Sequence, residues 1–492
     1  MTIPAAQAEA AALLARLTGA RPIETHISAV YVGPDRVLKL KKALDLGFLD
    51  FSRLEDRQHF LRREFELNAP FAPGLYRGVL PIGRRDGALA LGAEPAEEWV
   101  LEMAPVRPDD FLDAVVAHGE LDETRLDALA DAVFGMHVAL PPVPGVDQTK
   151  RLLGVVASSH RAALTAGLPA ARIEALAASL ITRLQALAPR LAARQNHIRR
   201  CHGDLHLGNL LLWHGQPAPF DALEFDEALA EIDTGYDLAF LLMDLDRRCG
   251  RAAANRVLNR YVGRGGDAGL LGPLPVWLAI RALIRSHCEA AAGRDGLALL
   301  AAAEAFLMPA PAPAPVLAIG GLQGTGKSRL ARALAPDIGP APGGLILRSD
   351  EIRKRLHGVT PEASLPASAY TPAASAAVHA EMLALLATAI AAGHAVILDA
   401  MFLDPRIRAE VEAATRPARF QGIWLEAPLE VLRARVAGRH GDASDATVAV
   451  LERSAAADPG TIGWPRLDAS LDAVPAARDL LDQEILRAAH GR

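Results

Sequence analysis

The sequence predicts a chain of two mixed halves, an α+β N-terminal piece and a C-terminal α/β domain built on a parallel sheet. Three observations carry that reading. Gly321–Ser328 fits G-x-x-x-x-G-K-[ST], with the apolar run Val316–Ile319 directly before it and the helical stretch Arg329–Leu334 after it, which is a strand feeding a phosphate-binding loop. Pro309–Pro315, PAPAPAP, can neither continue a helix nor fill a central strand and favours an extended spacer. The boundary is therefore placed there, with residues 1–308 before it and 316–492 after it. Ahead of that boundary, β-rich and helical stretches follow one another as strand, strand, helix, strand, helix.

Composition narrows the class of function. At 492 residues the chain exceeds one ordinary core, and with 51% hydrophobic but only 5% aromatic residues its cores are aliphatic and helix-rich. A net charge of −6 offers no general attraction to a polyanion, which argues against a broad nucleic-acid surface and for small substrates. Cys201, Cys249 and Cys288 cannot all pair within the chain and lack C-x-x-C spacing, which suits a reducing cytosol without structural zinc. The stretch around Glu9 and Arg16 reads as a helix and not a signal peptide, and no uninterrupted apolar run reaches the roughly 18 residues that span a bilayer. These features predict a cytoplasmic protein with small-molecule partners, and leave the oligomeric state open.

The N-terminal half opens with that helix and continues into Thr25–Lys42, two β-rich runs around Gly33-Pro34-Asp35, which reads as a hairpin. Side chains alternate along a strand, so Lys39 and Lys41 share a face. A helix from about Arg53 to Leu67 carries Glu55, Glu64 and Glu66; Trp99–Met103 is a strand and Leu121–Leu140 a long helix. The chemistry concentrates in Cys201–Leu212, CHGDLHLGNLLL, followed by a returning strand, Pro219–Phe225, with Asp221 and Glu224. An Asp five residues before an Asn, with further carboxylates on the next strand, is an arrangement suited to phosphoryl transfer: Asp204 orients the attacking hydroxyl, while Asn209 and a later acid hold magnesium.

His202-Gly-Asp204-x-x-x-x-Asn209 resembles the catalytic loop of the aminoglycoside phosphotransferase-like kinases, a branch of the two-lobed protein-kinase-like fold, over about Thr25 to Asp246. The resemblance implies Asp204 as catalytic Asp, Asn209 as magnesium ligand, Lys39 as the phosphate-touching lysine with Glu64 its helix partner, and Glu102 and Met103 in a hinge beside adenine. It also implies that Asp237, in YDLAFLL, braces the catalytic loop. Only the family pattern favours Lys39 over Lys41, and the second metal position falls to Glu224 or to Asp221. Arg251–Leu307 reads as a helical substrate lobe, where Arg281, Arg285 and His287 face either an anionic acceptor or solvent.

In the C-terminal half Gly321, Gly324, Thr325 and Gly326 belong to the loop that wraps the phosphates, Lys327 reaches the β- and γ-phosphates, and the Ser328 hydroxyl takes a magnesium position. Leu345–Asp350 is a strand ending in polar groups where α/β sheets collect ligands, followed by a helix with Arg353, Lys354 and Arg355. Ala395–Asp399 and Gln421–Glu426 are further strands. Pro428–Arg439 is a helix on which Arg435 and Arg439, four apart, share a face suited to closing over phosphate. GLQGTGKS, RSDEIRK, VILDAMF and this Arg-rich lid resemble the small P-loop kinases grouped with gluconate kinase, zeta-toxin-like kinases and the polynucleotide 5′-kinase domain. The likeness implies that Asp350 takes the acceptor proton, Arg353 holds the acceptor and Asp399 sits in the magnesium shell.

Together the two resemblances imply a bifunctional ATP- and Mg2+-dependent kinase, each half phosphorylating a hydroxyl. Two alternatives stand beside it: a P-loop kinase regulated by a non-catalytic N-terminal half, and a polynucleotide 5′-hydroxyl kinase, against which the acidic balance weighs.

Overall fold

Alternation along one strand decides how the first sheet is built. In a computed structural model, which describes residues 2–481 other than 46, 48, 310, 311, 417 and 440, Leu38 and Leu40 turn to one face and Lys39 and Lys41 to the other. The apolar face receives α1 (Ala8–Thr18), whose Leu13 and Leu14 pack with Ala29, Tyr31, Leu38, Leu40 and Val100. Each leucine buried this way stabilises by about 1.5–3 kcal/mol. Residues 310 and 311 of the Pro/Ala segment and 482–492 of the C-terminal half lie outside the described residues.

The strands of that sheet are β1 (Ile23–Glu24), β2 (Ser28–Val32), β3 (Val37–Lys41), β4 (Tyr76–Arg85), β5 (Ala88–Leu91) and β6 (Ala96–Met103), with α2 (Leu54–Asn68) inserted after β3. Their order is β1-β2-β3-β6-β4-β5, antiparallel throughout. The hairpin β2–β3 stands where the Gly33-Pro34-Asp35 turn placed it, with Val30 opposite Lys39. On the other face Leu61 of α2 packs with Leu75, Tyr76 and Leu101, which sets Glu64, one turn further along the helix, toward the lysines. The sequence order omitted β1, β4 and β5, so the three strands expected from strand, strand, helix, strand, helix become a six-stranded sheet.

Beyond α3 (Leu112–Ala117), α4 (Glu123–Ala139), α5 (Gln148–Thr165) and α6 (Ala170–Ala192), the strand β7 (Ile198–Arg200) leads into the Asp204 loop. β8 (Leu210–Trp213) and β9 (Gln216–Pro219) form a small antiparallel pair. Since β9 ends at Pro219, Asp221 and Glu224 lie in the loop after it and not on a strand. α7 (Glu227–Ala230), β10 (Glu231–Asp233) and α8 (Thr234–Arg248) follow, then α9 (Arg251–Gly265), α10 (Leu274–Ala291) and α11 (Leu297–Phe306).

The C-terminal part alternates β11 (Pro315–Gly321), α12 (Lys327–Leu334), β12 (Leu345–Arg348), α13 (Ser349–Leu356), α14 (Pro372–Ala391), β13 (Val396–Asp399), α15 (Pro405–Ala414), β14 (Arg419–Glu426), α16 (Leu429–Ala437), α17 (Val448–Ala455) and β15 (Arg466–Asp468). All strand pairs are parallel, in the order β12-β13-β11-β14-β15. The expected strand Leu345–Asp350 stops at Arg348, and Ser349 and Asp350 open α13 instead. Arg439 lies past the end of α16, because Gly438 closes that helix. α14 has 20 residues, with mean hydropathy 1.6 over an 18-residue stretch, long and apolar enough by composition to cross a membrane; here it buries Val378, Met382, Leu385, Leu386 and Ala389 inside the protein.

The chain divides into two compact units, Met1–Val146 with Gln195–Leu241, and Asp147–Arg194 with Leu242–Arg492. That division differs from the sequence boundary at Pro309–Pro315, and the second unit shows why. β12 is an edge strand, and α9 covers it: Asn259 Nδ2 donates to Gly344 O at 3.2 Å while its Oδ1 accepts from Ile346 N at 2.6 Å, and Asn255 Nδ2 donates to the same Gly344 O at 3.1 Å. One side chain thus supplies the donor and acceptor that a neighbouring strand would have supplied.

Candidate active sites

In the first unit two lysines share one carboxylate. Lys39 Nζ lies 2.7 Å from Glu64 Oε1 and 2.6 Å from Asp221 Oδ1; Lys41 Nζ lies 3.2 Å from Glu64 Oε2 and 2.5 Å from Glu224 Oε1. Burial opposes the charge on Lys39, but Asp221 and Glu64 outweigh it and hold the lysine well above its ordinary range. For Asp221, burial is likewise outweighed by Lys39, and the carboxyl falls below its ordinary value. Burial wins at Glu64, which is raised despite both lysines. The two later acids differ in access: the Asp221 side chain is 44% exposed and that of Glu224 only 6%, so Asp221 faces the open site. Its backbone is left-handed, φ 60°, and its N–H donates to the Tyr76 hydroxyl at 3.0 Å.

The loop that carries Asp204 is pinned from behind. Asp237 accepts from His202 N at 3.1 Å and Gly203 N at 3.0 Å, and His137 Nε2 meets the same carboxylate at 3.1 Å. Asn209 Nδ2 donates to both the carbonyl and the Oδ2 of Asp204, each at 2.9 Å. His206 Nδ1 accepts from Gly208 N at 3.0 Å, so in the neutral ring the proton sits on Nε2, 3.5 Å from Asp204 Oδ2. Glu102 and Met103 end β6 opposite Leu38 and Val37, next in register to Lys39.

In the second unit the parallel strands end on one cavity of about 890 Å3. Gly321, Gly324 and Gly326 have φ of 136°, 85° and 85°, which lets the loop curl between β11 and α12. The Thr325 hydroxyl closes that curl on Leu322 O at 2.8 Å. Lys327 Nζ donates to Gly321 O at 3.0 Å and Leu322 O at 2.9 Å, lying over its own loop. The Ser328 hydroxyl donates to Asp399 Oδ2 at 2.6 Å, which brings two oxygens from different elements together at the strand ends. Arg348 is 3.6 Å from Asp399 and 2.7 Å from Asp442.

Asp350 lines the same cavity, and burial raises its carboxyl above the ordinary range; Asp399 adds to the shift and Arg348 opposes it. Burial lowers Lys327 against the pull of Asp399 and Asp350. Arg435 reaches from α16 to Ala469 O at 2.7 Å and Gly324 O at 3.4 Å. Arg439 sits 3.5 Å from Asp442, and the Arg353 guanidinium lies 4.8 Å from the Tyr370 ring centre.

Comparison with known proteins agrees with this division of sites. A family model described as "Phosphotransferase enzyme family" matches residues 89–270, and one described as "AAA domain" matches 316–457. The protein Rv2004c of Mycobacterium tuberculosis is 30% identical over 458 residues, covering 88% of this chain and 89% of its own. The chain belongs to the family of that mycobacterial protein. It is a kinase, an aminoglycoside phosphotransferase-like domain joined to a P-loop kinase domain. Among solved structures, a choline/ethanolamine kinase family protein from Mesorhizobium loti is 15% identical, with 62% of this chain and 95% of that one covered and a TM-score of 0.39. A gluconokinase from Sinorhizobium meliloti 1021 is 20% identical, with 36% and 95% covered and a TM-score of 0.25.

The kinase brings together most residues named from its sequence, and adds others. Lys39, Glu64 and Asp221 form one cluster, and Asp204 with Asn209 another; Lys327, Ser328, Asp350, Arg353, Asp399, Arg435 and Arg439 line one cavity. Glu224 is occupied by Lys41 in the interior. Arg281 is buried, neither a solvated face nor an exposed anion site, and Arg285 pairs with Glu289 at 2.7 Å. Gln323, Arg348, Tyr370, Asp442, Asp445 and Arg453 line the P-loop cavity without having been singled out. Asp442 and Asp445 were legible only as acids in the Gly/Ser-containing run after the lid arginines; Tyr370 and Arg453 carried no local signal.

Proposed function

We propose that both halves are active, each transferring the γ-phosphoryl group of ATP to a hydroxyl of a small molecule, with residues 1–308 and 316–492 as the two catalytic domains and the Pro/Ala segment 309–315 between them. The observation that carries the reading is the meeting of Ser328 and Asp399 at 2.6 Å in a cavity shared with Lys327 and Asp350. Two hard oxygen donors beside a phosphate loop suit Mg2+, which when bound neutralises charge on the β- and γ-phosphates. Lys327 leaves its carbonyls for the phosphates. Asp350 orients the acceptor hydroxyl and takes its proton; the hydroxyl oxygen bonds to the γ-phosphorus as the β,γ-bridging oxygen departs with ADP. Arg435 and Arg439 close over the equatorial oxygens, and Arg353 holds the acceptor.

In the first half Lys39 and Glu64 set the α- and β-phosphates, with Glu102 and Met103 beside the base. Asn209 spends its amide nitrogen on Asp204, which directs its carbonyl oxygen elsewhere, and together with half-exposed Asp221 it supplies the oxygens Mg2+ requires. Glu224, engaged by Lys41, supports that site from the interior. Asp204 then accepts the proton of the second acceptor.

The test is nucleotide consumption across a small-metabolite panel with the wild type, Asp204→Ala and Lys327→Ala. Each turnover should be lost in one variant and kept in the other. If Asp204→Ala preserves every turnover, the first half is regulatory; if only oligonucleotide ends are phosphorylated, the small-molecule reading falls.

A further inference from the structure

One stripe of α9 is given over to the second half. Asn255, Asn259, Gly263 and Gly266 follow one another at spacings of four, four and three, so they lie along one side of the helix and its end. The two asparagines hold the edge of β12, and the contacts then run on to α13, the helix that carries Asp350. A Cβ on Gly263 would stand 3.3 Å from Glu351 Oε2, so the bare backbone there lets the first turn of α13 seat against α9. At Gly266, which closes α9 with φ 73°, a Cβ would overlap Arg355 Nη1. Arg355 therefore lies over the C-terminal end of α9, where the helix dipole favours a cation, and its Nη2 reaches Glu381 of α14 at 2.8 Å.

Arg260, beside that stripe, meets Glu362 with both terminal nitrogens, at 2.6 and 3.2 Å. Glu362 belongs to the connection 357–371 between α13 and α14, which supplies Leu365, Ala367 and Tyr370 to the wall of the P-loop cavity. From Glu351 the contacts reach the reacting end: it lies 3.5 Å from Arg348, and Arg348 stands between Asp399 at 3.6 Å and Asp442 at 2.7 Å. Asp350 is the residue before Glu351, so any shift of α13 on α9 moves the base and the Arg348–Asp399 contact together. The phosphate loop is closed differently, by the bonds of Thr325 and Lys327 to its own carbonyls.

We propose that α9 positions the acceptor side of the P-loop half, with Arg260 and Glu351 as positioning residues that act on Asp350 and on the cavity wall through α13 and the connection 357–371. Phosphoryl transfer by the second half then requires a helix from the first, whereas nucleotide binding does not. This rests on the reading of the P-loop half as an ATP-dependent kinase. The physical motive is precision, because displacing a reacting group by about 1 Å can cost about a hundredfold in rate.

The full chain is compared with its Arg260→Gln, Arg260→Lys and Glu351→Gln variants by amide hydrogen exchange, by affinity for Mg2+ with a non-hydrolysable ATP analogue, and by Lys327-dependent ATP turnover. In Arg260→Gln and Glu351→Gln, exchange in α13 and in 357–371 should rise about tenfold or more while exchange in α12 and analogue affinity stay within about twofold. In the same variants kcat should fall about tenfold or more at an unchanged KM for ATP, and Arg260→Lys should recover part of the loss. The proposal is overturned if exchange in α13 is unchanged in both variants, if kcat is unchanged although α13 exchanges faster, or if analogue affinity falls in step with kcat, which would make α9 a support of the whole fold. Glu351→Gln, which keeps the shape of the side chain, decides if Arg260→Gln does not fold. A wild type without Lys327-dependent analogue binding would instead remove the kinase reading, and the exchange comparison would still decide whether α9 holds α13.

Discussion

Lys41 has no exposed surface, and burial works against its charge; Glu224 and Glu64 reverse that balance and raise its pKa above the ordinary lysine value. Because the folded pKa is raised, its contribution to stability is complete at neutral pH and is lost only as pH climbs through that raised value. Lys41→Met leaves buried Glu224 without its lysine partner and three carboxylates around Lys39 alone, and should cost about 3–5 kcal/mol in urea unfolding; a loss under about 1 kcal/mol would contradict the network. Asp350 gives the opposite sign in activity. Its pKa is raised mainly by burial, and the base must be ionised, so the acid limb of kcat/KM for the P-loop reaction should lie above the pH range of an ordinary aspartate. A profile already flat at pH 5 would exclude Asp350 as that base. Lys327→Ala should lower the same kcat/KM by about 100- to 1,000-fold or more.

Helices and strands explain why some of this was legible in advance and some was not. Strong period-two runs flanked by turn residues, such as Thr25–Lys42, and the strand–loop–helix around Gly321–Ser328 stood out because local pattern and tertiary role agree there. β4 and β5 did not, since Tyr76–Leu91 mixes Gly, Pro and Arg with its apolar positions and is held by pairing with β6. Arg435 and Arg439 looked like one helical face until Gly438 ended α16 between them. Asn259 left no trace at all, because its role exists only where α9 meets the edge of β12. Asn259→Leu strands Ile346 N and weakens the hold on Gly344 O, so it should destabilise by about 1–3 kcal/mol. An unchanged urea midpoint would show that the edge is satisfied in another way.

At the scale of the whole chain, the sequence divides at the Pro/Ala segment while packing divides elsewhere, and α9 is the reason: a helix from the first half completes a sheet of the second. Residues 316–492 expressed alone should therefore unfold at lower urea than the same transition in the full chain, with a tendency to associate through β12; equal midpoints would make the covering helix dispensable. The two motifs were readable because each is short and contiguous, whereas Tyr370 and Arg453 reach the P-loop cavity from separate stretches of the chain. The central claim is that one polypeptide holds two independent nucleotide sites. Calorimetric titration with Mg2+ and a non-hydrolysable ATP analogue tests it directly. The stoichiometry should be two per chain in the wild type and one in both Lys327→Ala and Asp221→Ala; a single site in the wild type, or two sites persisting in Lys327→Ala, would contradict it.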